Sequence, residues 1–375
     1  MRPGWNGRAP LITYMKKSAS VTTTSFFSKY YLLIPDGTYH TMAIEFTVFK
    51  GSTSGDIVEA KGSREVGPTE ALVKITHSGV CFTDEHYRHI DQGLGHEGVG
   101  TIVEVGSRVH EISDFKVGDR VGMGWFQKFC GHCKVCVRGR QNLCINNEQF
   151  GTANHDQGTF ATGIAWDVSA LFKVPDGIAS EDAGPLMCGG ATVWDPLFSN
   201  GARAGDRIGI VGIGGLGHLA IQFASKMAFQ AVVFSRSESK REEAMSFGAT
   251  EYHATEGRDS LEGITPVDYL LITANTLPDL TPYVPILAKA AKVFPLTISQ
   301  GDIVFPSLPL VLEGISIVGS PLAPVGSQRQ MLEFAALHGI KPQIEKFPLT
   351  QTGITDAMQR LRDGKMRYRG VVVAP

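Results

Sequence analysis

The chain has 375 residues, 43% of them hydrophobic and 19% charged, and a net charge of -2. That is enough apolar material for a large core and for two domains. No cluster of Lys and Arg alternates with aromatics, so nucleic-acid binding has no electrostatic footing, and no apolar run approaches the ~20 residues that cross a bilayer.

In chain order, residues 1–41 stand apart. They carry Arg2, Arg8, Lys16, Lys17 and Lys29, many Ser and Thr, and no acid before Asp36. This is the composition of an organelle transit peptide. Arginine is sparse, however, and the apolar residues lack a helical period, which favours an upstream stretch of no function with the working protein starting at Met42. The segment is expected to be poorly ordered. The expected location is cytoplasmic, or mitochondrial if residues 1–41 act as a transit peptide.

Residues 42–190 show short apolar runs broken by glycine, as in Ala71–Ile75, Gly100–Val105 and Val117–Val121, the pattern of a β-rich domain. Over residues 191–330 the texture changes. Arg207–Val211 reads as a buried strand, the turn Gly212-Ile213-Gly214-Gly215-Leu216-Gly217 follows, and Leu216, Leu219, Ala220, Phe223 and Met227 recur at helical spacing. Further strands are expected at Ala231–Phe234, Asp268–Ile272, Ala291–Phe294 and Ile315–Val318, with helices at Ser239–Phe247 and Pro285–Ala290. Strands alternating with helices imply a doubly wound parallel sheet. The tail, 331–375, holds an amphipathic helix through Met331, Phe334 and Leu337 and a last strand, Gly370–Val373.

The six cysteines fall into two ligand patterns with none left over. Cys130, Cys133, Cys136 and Cys144 read C-x2-C-x2-C-x7-C, a spacing that suits a closed four-thiolate zinc better than disulfides, which a chain of this size does not need. That choice implies a reducing compartment. Cys81 and Cys188 lie on either side of His96-Glu97. Two thiolates and one imidazole leave a fourth zinc position open for water or substrate, as a catalytic site requires. One structural and one catalytic zinc per chain are therefore expected.

The glycine turn sits between a strand and a helix, where a dinucleotide needs it. Gly212 allows the tight turn, Gly214 the approach of a pyrophosphate, and Gly217 close packing of helix on strand. NAD sites usually carry an acid about 20 residues further on. Here neutral Ser235 holds that place, followed by Arg236, Ser237, Lys240 and Arg241. Hydroxyls and cations accept a 2′-phosphate that a carboxylate would repel, so the expected cofactor is NADP(H).

Both cysteine patterns, the Gly95-His96-Glu97-Gly98 motif and the glycine turn, in this order, make the chain from Met42 onward resemble a zinc-dependent medium-chain alcohol dehydrogenase, especially the cinnamyl-alcohol-dehydrogenase-type branch with its fungal relatives. The resemblance implies an α/β protein in which a GroES-like catalytic domain (42–190 with 331–375) is interrupted by a Rossmann coenzyme domain (191–330), assembled as a homodimer or homotetramer. It makes Cys81, His96 and Cys188 the catalytic zinc ligands, with Glu97 a carboxylate near the metal. Thr83 would hold the substrate oxygen, Asp84 orient His96, His86 end a proton relay, and Thr192 lie beside the nicotinamide. The implied activity is hydride transfer between NADP(H) and an alcohol/aldehyde or ketone pair, running as carbonyl reduction, in the setting of secondary metabolism.

The chain departs from the family in three places. The segment Thr83–Gly95 is short and contains no proline, which suggests an altered or wider substrate entrance. Phe82 replaces a small residue or a cation, and Phe294-Pro295 stand where glycines are frequent. Tyr87, His89, Trp125, Phe150, Phe160 and Trp194 are candidates both for the substrate pocket and for the core. Reduction of a conjugated C=C bond or an iminium on the same scaffold is a competing reading, and a non-catalytic relative is another; Thr83 and His86 weigh against both.

Overall fold

The computed structural model describes residues 43–299 and 301–375, and upstream of them the backbone of two short strands, Tyr31–Leu33 and Tyr39–Thr41, which pair antiparallel. The expectation of poor order over residues 1–41 otherwise concerns residues outside the described set.

The first layer is a mixed seven-stranded sheet built around Glu70–Val80, whose side chains are buried on both faces over most of its length. Antiparallel to it run Gly98–Val105, Gly163–Asp167 and Arg369–Val373. Gly98–Val105 continues to Arg120–Met123 and then Leu171–Lys173, while Arg369–Val373 pairs parallel with Ile344–Pro348. The last strand is thus hydrogen-bonded to one of the first, and its Val371 and Val372 are fully buried. The run expected from Val117 begins as a strand only at Arg120, because Val117 and Gly118 form a turn in which Gly118 has φ 93°.

The second layer is a six-stranded parallel sheet in the order Glu251–Ala254, Gln230–Ser235, Arg207–Val211, Val267–Ile272, Leu287–Pro295, Ser316–Ile317. In chain order that is 3-2-1-4-5-6, the doubly wound dinucleotide-binding arrangement, with its ligand crevice at the carboxyl ends of the two central strands. The helix Gly217–Lys226 follows the first strand and buries Leu219, Ala220 and Phe223 against it. The helix expected over Pro285–Ala290 does not form. Thr281–Ile286 is a 3-10 turn and Leu287 opens a strand. Pro282 and Pro285 lack the N–H groups that an α-helix needs, and pairing of Leu287 with Val267 overrides the helical propensity of the Ala-Lys-Ala-Ala stretch.

The layers meet through Ser180–Pro185, a π-helical turn Leu186–Gly190, and Ala191–Phe198. The helix Val325–His338 packs on the last of these. Its Ser327 hydroxyl accepts from Trp194 Nε1 at 3.1 Å and donates to Asp195 Oδ1 at 2.9 Å. Met331, Leu332 and Ala335 join the core that includes the parallel sheet, and the chain regains the mixed sheet at Ile344.

Candidate active site

Cys130, Cys133, Cys136 and Cys144 close one lobe of the mixed-sheet layer, and all six cysteines are free thiols. Sγ separations are 3.4 Å for Cys130–Cys144 and 4.0 Å for both Cys130–Cys136 and Cys133–Cys144. These are far too long for disulfides and close to the ~3.8 Å edge of a tetrahedron with Zn–S bonds of about 2.3 Å. Backbone N–H groups of Cys136 and Ile145 hold the Cys133 thiol down at about 6, whereas burial pushes Cys136 up to about 12. A dication between the four sulfurs removes that conflict, so the donor set fits a structural zinc. His132 turns away, its Nδ1 donating to the Cys130 carbonyl at 2.7 Å.

The second cluster is assembled from four parts of the chain. Cys81 caps the helix Phe82–Tyr87, and the Asp84 carboxylate folds back to accept from Cys81 N at 3.0 Å, Gly95 N at 3.2 Å and His96 Nδ1 at 2.9 Å. Asp84 thereby fixes which His96 nitrogen carries a proton and leaves Nε2 as the free donor atom, buried and without a hydrogen-bond partner. Cys188 arrives from the π-helical turn, a distortion often found at functional sites. The ligand atoms of Cys81, His96, Glu97 and Cys188 all lie within 4.8 Å of one another. Glu97 gives one carboxylate oxygen to the Arg369 guanidinium, while the other is buried and unpartnered. Burial pushes the Glu97 carboxyl up to about 7, against the pull of Arg369. Two sulfurs, an orphaned imidazole nitrogen and a carboxylate tied to a cation fit a Cys2His zinc with one open corner.

This pocket opens into a cavity of about 580 Å³ lined by Cys81, Thr83, His96, Trp125, Cys188 and Thr192. A second cavity of about 620 Å³ is lined by the glycine turn and by Ser235, Arg236, Ser237, Lys240 and Arg367. The two share Gly215, Thr273, Ala274, Asn275, Leu361 and Tyr368, so they form one cleft across the switch point of the parallel sheet. A Cβ on Gly217 would sit 2.0 Å from the Gly212 carbonyl oxygen, whereas one on Gly214 would meet only Asn275 Oδ1, at 3.9 Å. The turn is therefore packed where it touches the helix and open where a phosphate would approach. Among the described residues, no carboxylate lines the second cavity, although three cations do. Lys240 Nζ donates to the Ile213 carbonyl at 2.6 Å, and burial lowers its pKa, with Arg367 and Arg236 adding to the effect. Arg241 does not join them, because Glu238 holds it in an ion pair and it lies over the Tyr252 ring. The chemistry of this lining fits a dinucleotide that carries an extra phosphate.

Thr83 is buried with Oγ1 3.6 Å from Cys81 Sγ, and His86 stands exposed at the cavity rim, edge-on to Phe82. Among the aromatic candidates Trp125 lines the cavity, whereas Phe150, Phe160 and Trp194 are core residues and His89 packs at Gly55. Pro295 lines the cavity and Phe294 is buried behind it. Sequence reasoning missed Arg367 and Arg369. Their signal was faint: two arginines, in Arg367-Tyr368-Arg369, running into a buried valine strand.

Comparison with known proteins sets the class first. Residues 67–176 match the alcohol dehydrogenase GroES-like domain and residues 215–336 the zinc-binding dehydrogenase domain. The "Probable cinnamyl alcohol dehydrogenase 1" of Nicotiana tabacum is 34% identical over 324 residues, which are 82% of this chain and 89% of that protein. The "NADP-dependent alcohol dehydrogenase C 1" of Mycolicibacterium smegmatis is 31% identical, over 82% of this chain and 91% of its own length. Of solved structures, a cinnamyl alcohol dehydrogenase from Sorghum bicolor superposes with a TM-score of 0.81 at 26% identity, over 88% of this chain and 97% of its own. The Helicobacter pylori enzyme complexed with NADP(H) gives 0.80 at 26% identity, over 88% and 99%. The chain belongs to the zinc-dependent medium-chain alcohol dehydrogenase family.

Proposed function

We propose that the protein is an NADP(H)-dependent reductase of aldehydes or ketones, with Cys81, His96 and Cys188 as catalytic zinc ligands and Thr83 as the proton donor. One observation carries this reading. The cavity that joins Thr83 to the Cys81–His96–Cys188 cluster runs directly into a second cavity that bears, among the described residues, three cations and no carboxylate. When bound, zinc supplies a Lewis acid and the nicotinamide a hydride donor.

The chain's own residues do the rest. Asp84 holds His96 in the tautomer that leaves Nε2 free. Thr83 Oγ1, buried beside Cys81, is placed to hydrogen-bond a substrate oxygen and give it a proton, and His86 at the rim exchanges protons with solvent. Trp125, Leu296 and Leu322 form apolar walls that exclude water and select a substrate with an apolar body. Arg236 and Lys240 recognise the cofactor 2′-phosphate alongside the Ser235 and Ser237 hydroxyls.

The test is NADPH oxidation against aromatic, aliphatic and conjugated aldehydes, with NADH as the control. Preference for NADPH and loss of the carbonyl are expected; equal or better use of NADH, or saturation of the C=C bond instead, would overturn the assignment. Thr83→Ala should slow carbonyl reduction by about a hundredfold or more without weakening NADPH binding. Unchanged turnover removes Thr83 from the relay.

A homodimer is also proposed. Leu308, Val311 and Leu312 on the short helix Ser307–Leu312 are exposed next to the edge strand Ser316–Ile317. A monomer mass in light scattering would dismiss it. The free thiols call for a reducing compartment, for which we propose the cytoplasm; among the described residues no helix is long and apolar enough to cross a membrane. Fractionation that finds the protein elsewhere would rule this out.

A further inference from the structure

His218 is fully buried, yet no step above uses it. It lies in the first turn of Gly217–Lys226, directly behind the glycine turn. The Gly214 carbonyl accepts from His218 twice, from the backbone N–H at 3.2 Å and from ring Nδ1 at 2.9 Å. The opposite ring nitrogen, Nε2, accepts from the backbone N–H of Gln343 at 3.2 Å. Only a neutral ring protonated on Nδ1 satisfies both contacts, and burial drives the imidazole down to about 3, with the Arg369 charge opposing protonation as well.

Gln343 leads into the strand Ile344–Pro348 of the mixed sheet, so this bond joins the two layers. The Gln343 carbonyl accepts from the N–H groups of Tyr368, at 2.9 Å, and Arg369, at 3.0 Å. Arg369 then reaches Glu97 in the metal pocket. Two further contacts fasten the same line. One helical turn on, Gln222 donates to the Lys341 carbonyl at 2.9 Å and accepts from the Lys341 N–H at 3.3 Å. The Arg369 side chain also lies against Gly215, where an added Cβ would come within 3.0 Å of it.

We propose that His218 is a positioning residue that ties the phosphate-facing glycine turn, through Gln343, to the Arg369–Glu97 pair, so that the cofactor seat and the metal pocket keep one alignment. The proposal rests on the assignment of the glycine turn as the dinucleotide seat. Its first test is nevertheless independent of that assignment: amide hydrogen exchange on the zinc-loaded, cofactor-free protein. His218→Phe keeps an aromatic ring against Tyr368, which now stacks at 5.1 Å, but removes both polar contacts. His218→Gln reaches far enough to restore an acceptor for the Gln343 N–H.

In His218→Phe the Gln343 and Arg369 amides should exchange at least about tenfold faster, and in His218→Gln the Gln343 amide should regain protection. With NADPH as the probe, His218→Phe should weaken binding by about tenfold and lower kcat as well, while His218→Gln recovers part of the binding. If exchange at Gln343 and Arg369 is unchanged in His218→Phe, the line does not exist and His218 is a packing residue. If exchange quickens but the NADPH affinity and kcat hold, the line exists but aligns nothing, and the proposal is equally overturned. Wild-type protein that does not bind NADPH at all refutes the cofactor assignment instead, and the exchange result separates the two failures.

Discussion

Replacing His218 by Phe should remove a defined part of the protein's acid sensitivity. The imidazole is fully buried and held at about 3, against an ordinary value of 6.5. Its folded-state pKa is depressed, so between those values the unfolded chain binds a proton that the folded chain does not. Stability from this site is therefore fully present above about pH 6.5 and is lost as pH falls below it. From pH 7 to pH 5 the loss is about 1.4 kcal/mol per pKa unit over roughly 1.5 units, or about 2 kcal/mol. The figure depends mainly on the unfolded value, since at pH 5 the folded ring is neutral for any pKa up to about 4. Urea unfolding followed by tryptophan fluorescence, at both pH values and constant zinc, reads the effect. His218→Phe starts from lower stability, because the Gln343 N–H loses its partner at about 1–3 kcal/mol if left unsatisfied, while the Gly214 carbonyl keeps only its bond from the backbone N–H at position 218. Wild type should nevertheless lose about 2 kcal/mol more than the variant on going to pH 5. Acid effects on the zinc thiolates and on His77 are common to both proteins and cancel in that difference. Equal losses in the two proteins would show that His218 is not neutral and buried, and the hydrogen-bond directions assigned to it would fall.

Three other outcomes are expected. Arg236→Asp places a carboxylate beside the proposed 2′-phosphate seat, so the KM for NADPH should rise at least about tenfold while that for NADH changes little; a parallel change in both would detach Arg236 from specificity. Cys130→Ser should lower bound zinc from two ions per chain to one and reduce thermal stability, as measured by metal analysis and an unfolding scan, because a four-thiolate zinc contributes folding energy; two ions still bound would refute the structural site. Asp84→Asn keeps the side-chain shape but loses the charge that holds His96 Nδ1–H, so chelator competition should show a zinc affinity about 10- to 100-fold weaker; unchanged affinity would leave Asp84 with only its bonds to Cys81 and Gly95.

How much of this could be read in advance follows from how local each feature is. The four-cysteine lobe spans Cys130 to Cys144, and the strand–turn–helix around Gly212 to Gly217 is contiguous, so spacing alone carries them. Residues 81, 96 and 188 are scattered, so the cysteine count and the His96-Glu97 pair only suggest a catalytic zinc, and it is the family resemblance that assigns Cys81, His96 and Cys188 as its ligands. Arg369 was out of reach: it lies 272 positions from Glu97 and meets it only because Arg369–Val373 pairs antiparallel with Glu70–Val80. Leu287–Pro295 was misread in part because its alanines and lysines favour a helix locally, and only parallel pairing with Val267–Ile272 decides otherwise. Nothing in Leu186-Met187-Cys188-Gly189-Gly190 announces a π-helical turn, yet that turn is what presents Cys188.

Three neighbouring stretches of the mixed sheet shape the space around Glu97. The residue stands at the entry to Gly98–Val105, and its backbone carbonyl accepts from Gly79 N at 2.9 Å. A Cβ on Gly79 would lie 1.9 Å from Glu97 Oε2, so only glycine at that point of the central strand leaves room for the carboxylate. Arg369, one strand over, then neutralises a group whose burial would otherwise favour protonation, because an unpaired buried charge is far costlier than a paired one. The same guanidinium packs against Gly215, on the dinucleotide turn. A cation that must satisfy a carboxylate on one side and fit against a glycine on the other fixes the distance between metal pocket and cofactor seat more tightly than either motif could alone. Hydride transfer needs the reacting atoms about 3–3.5 Å apart, so an element that removes freedom between the two seats acts directly on the rate. This is why the loss of a hydrogen bond at His218, remote from the chemistry, should be visible in kcat.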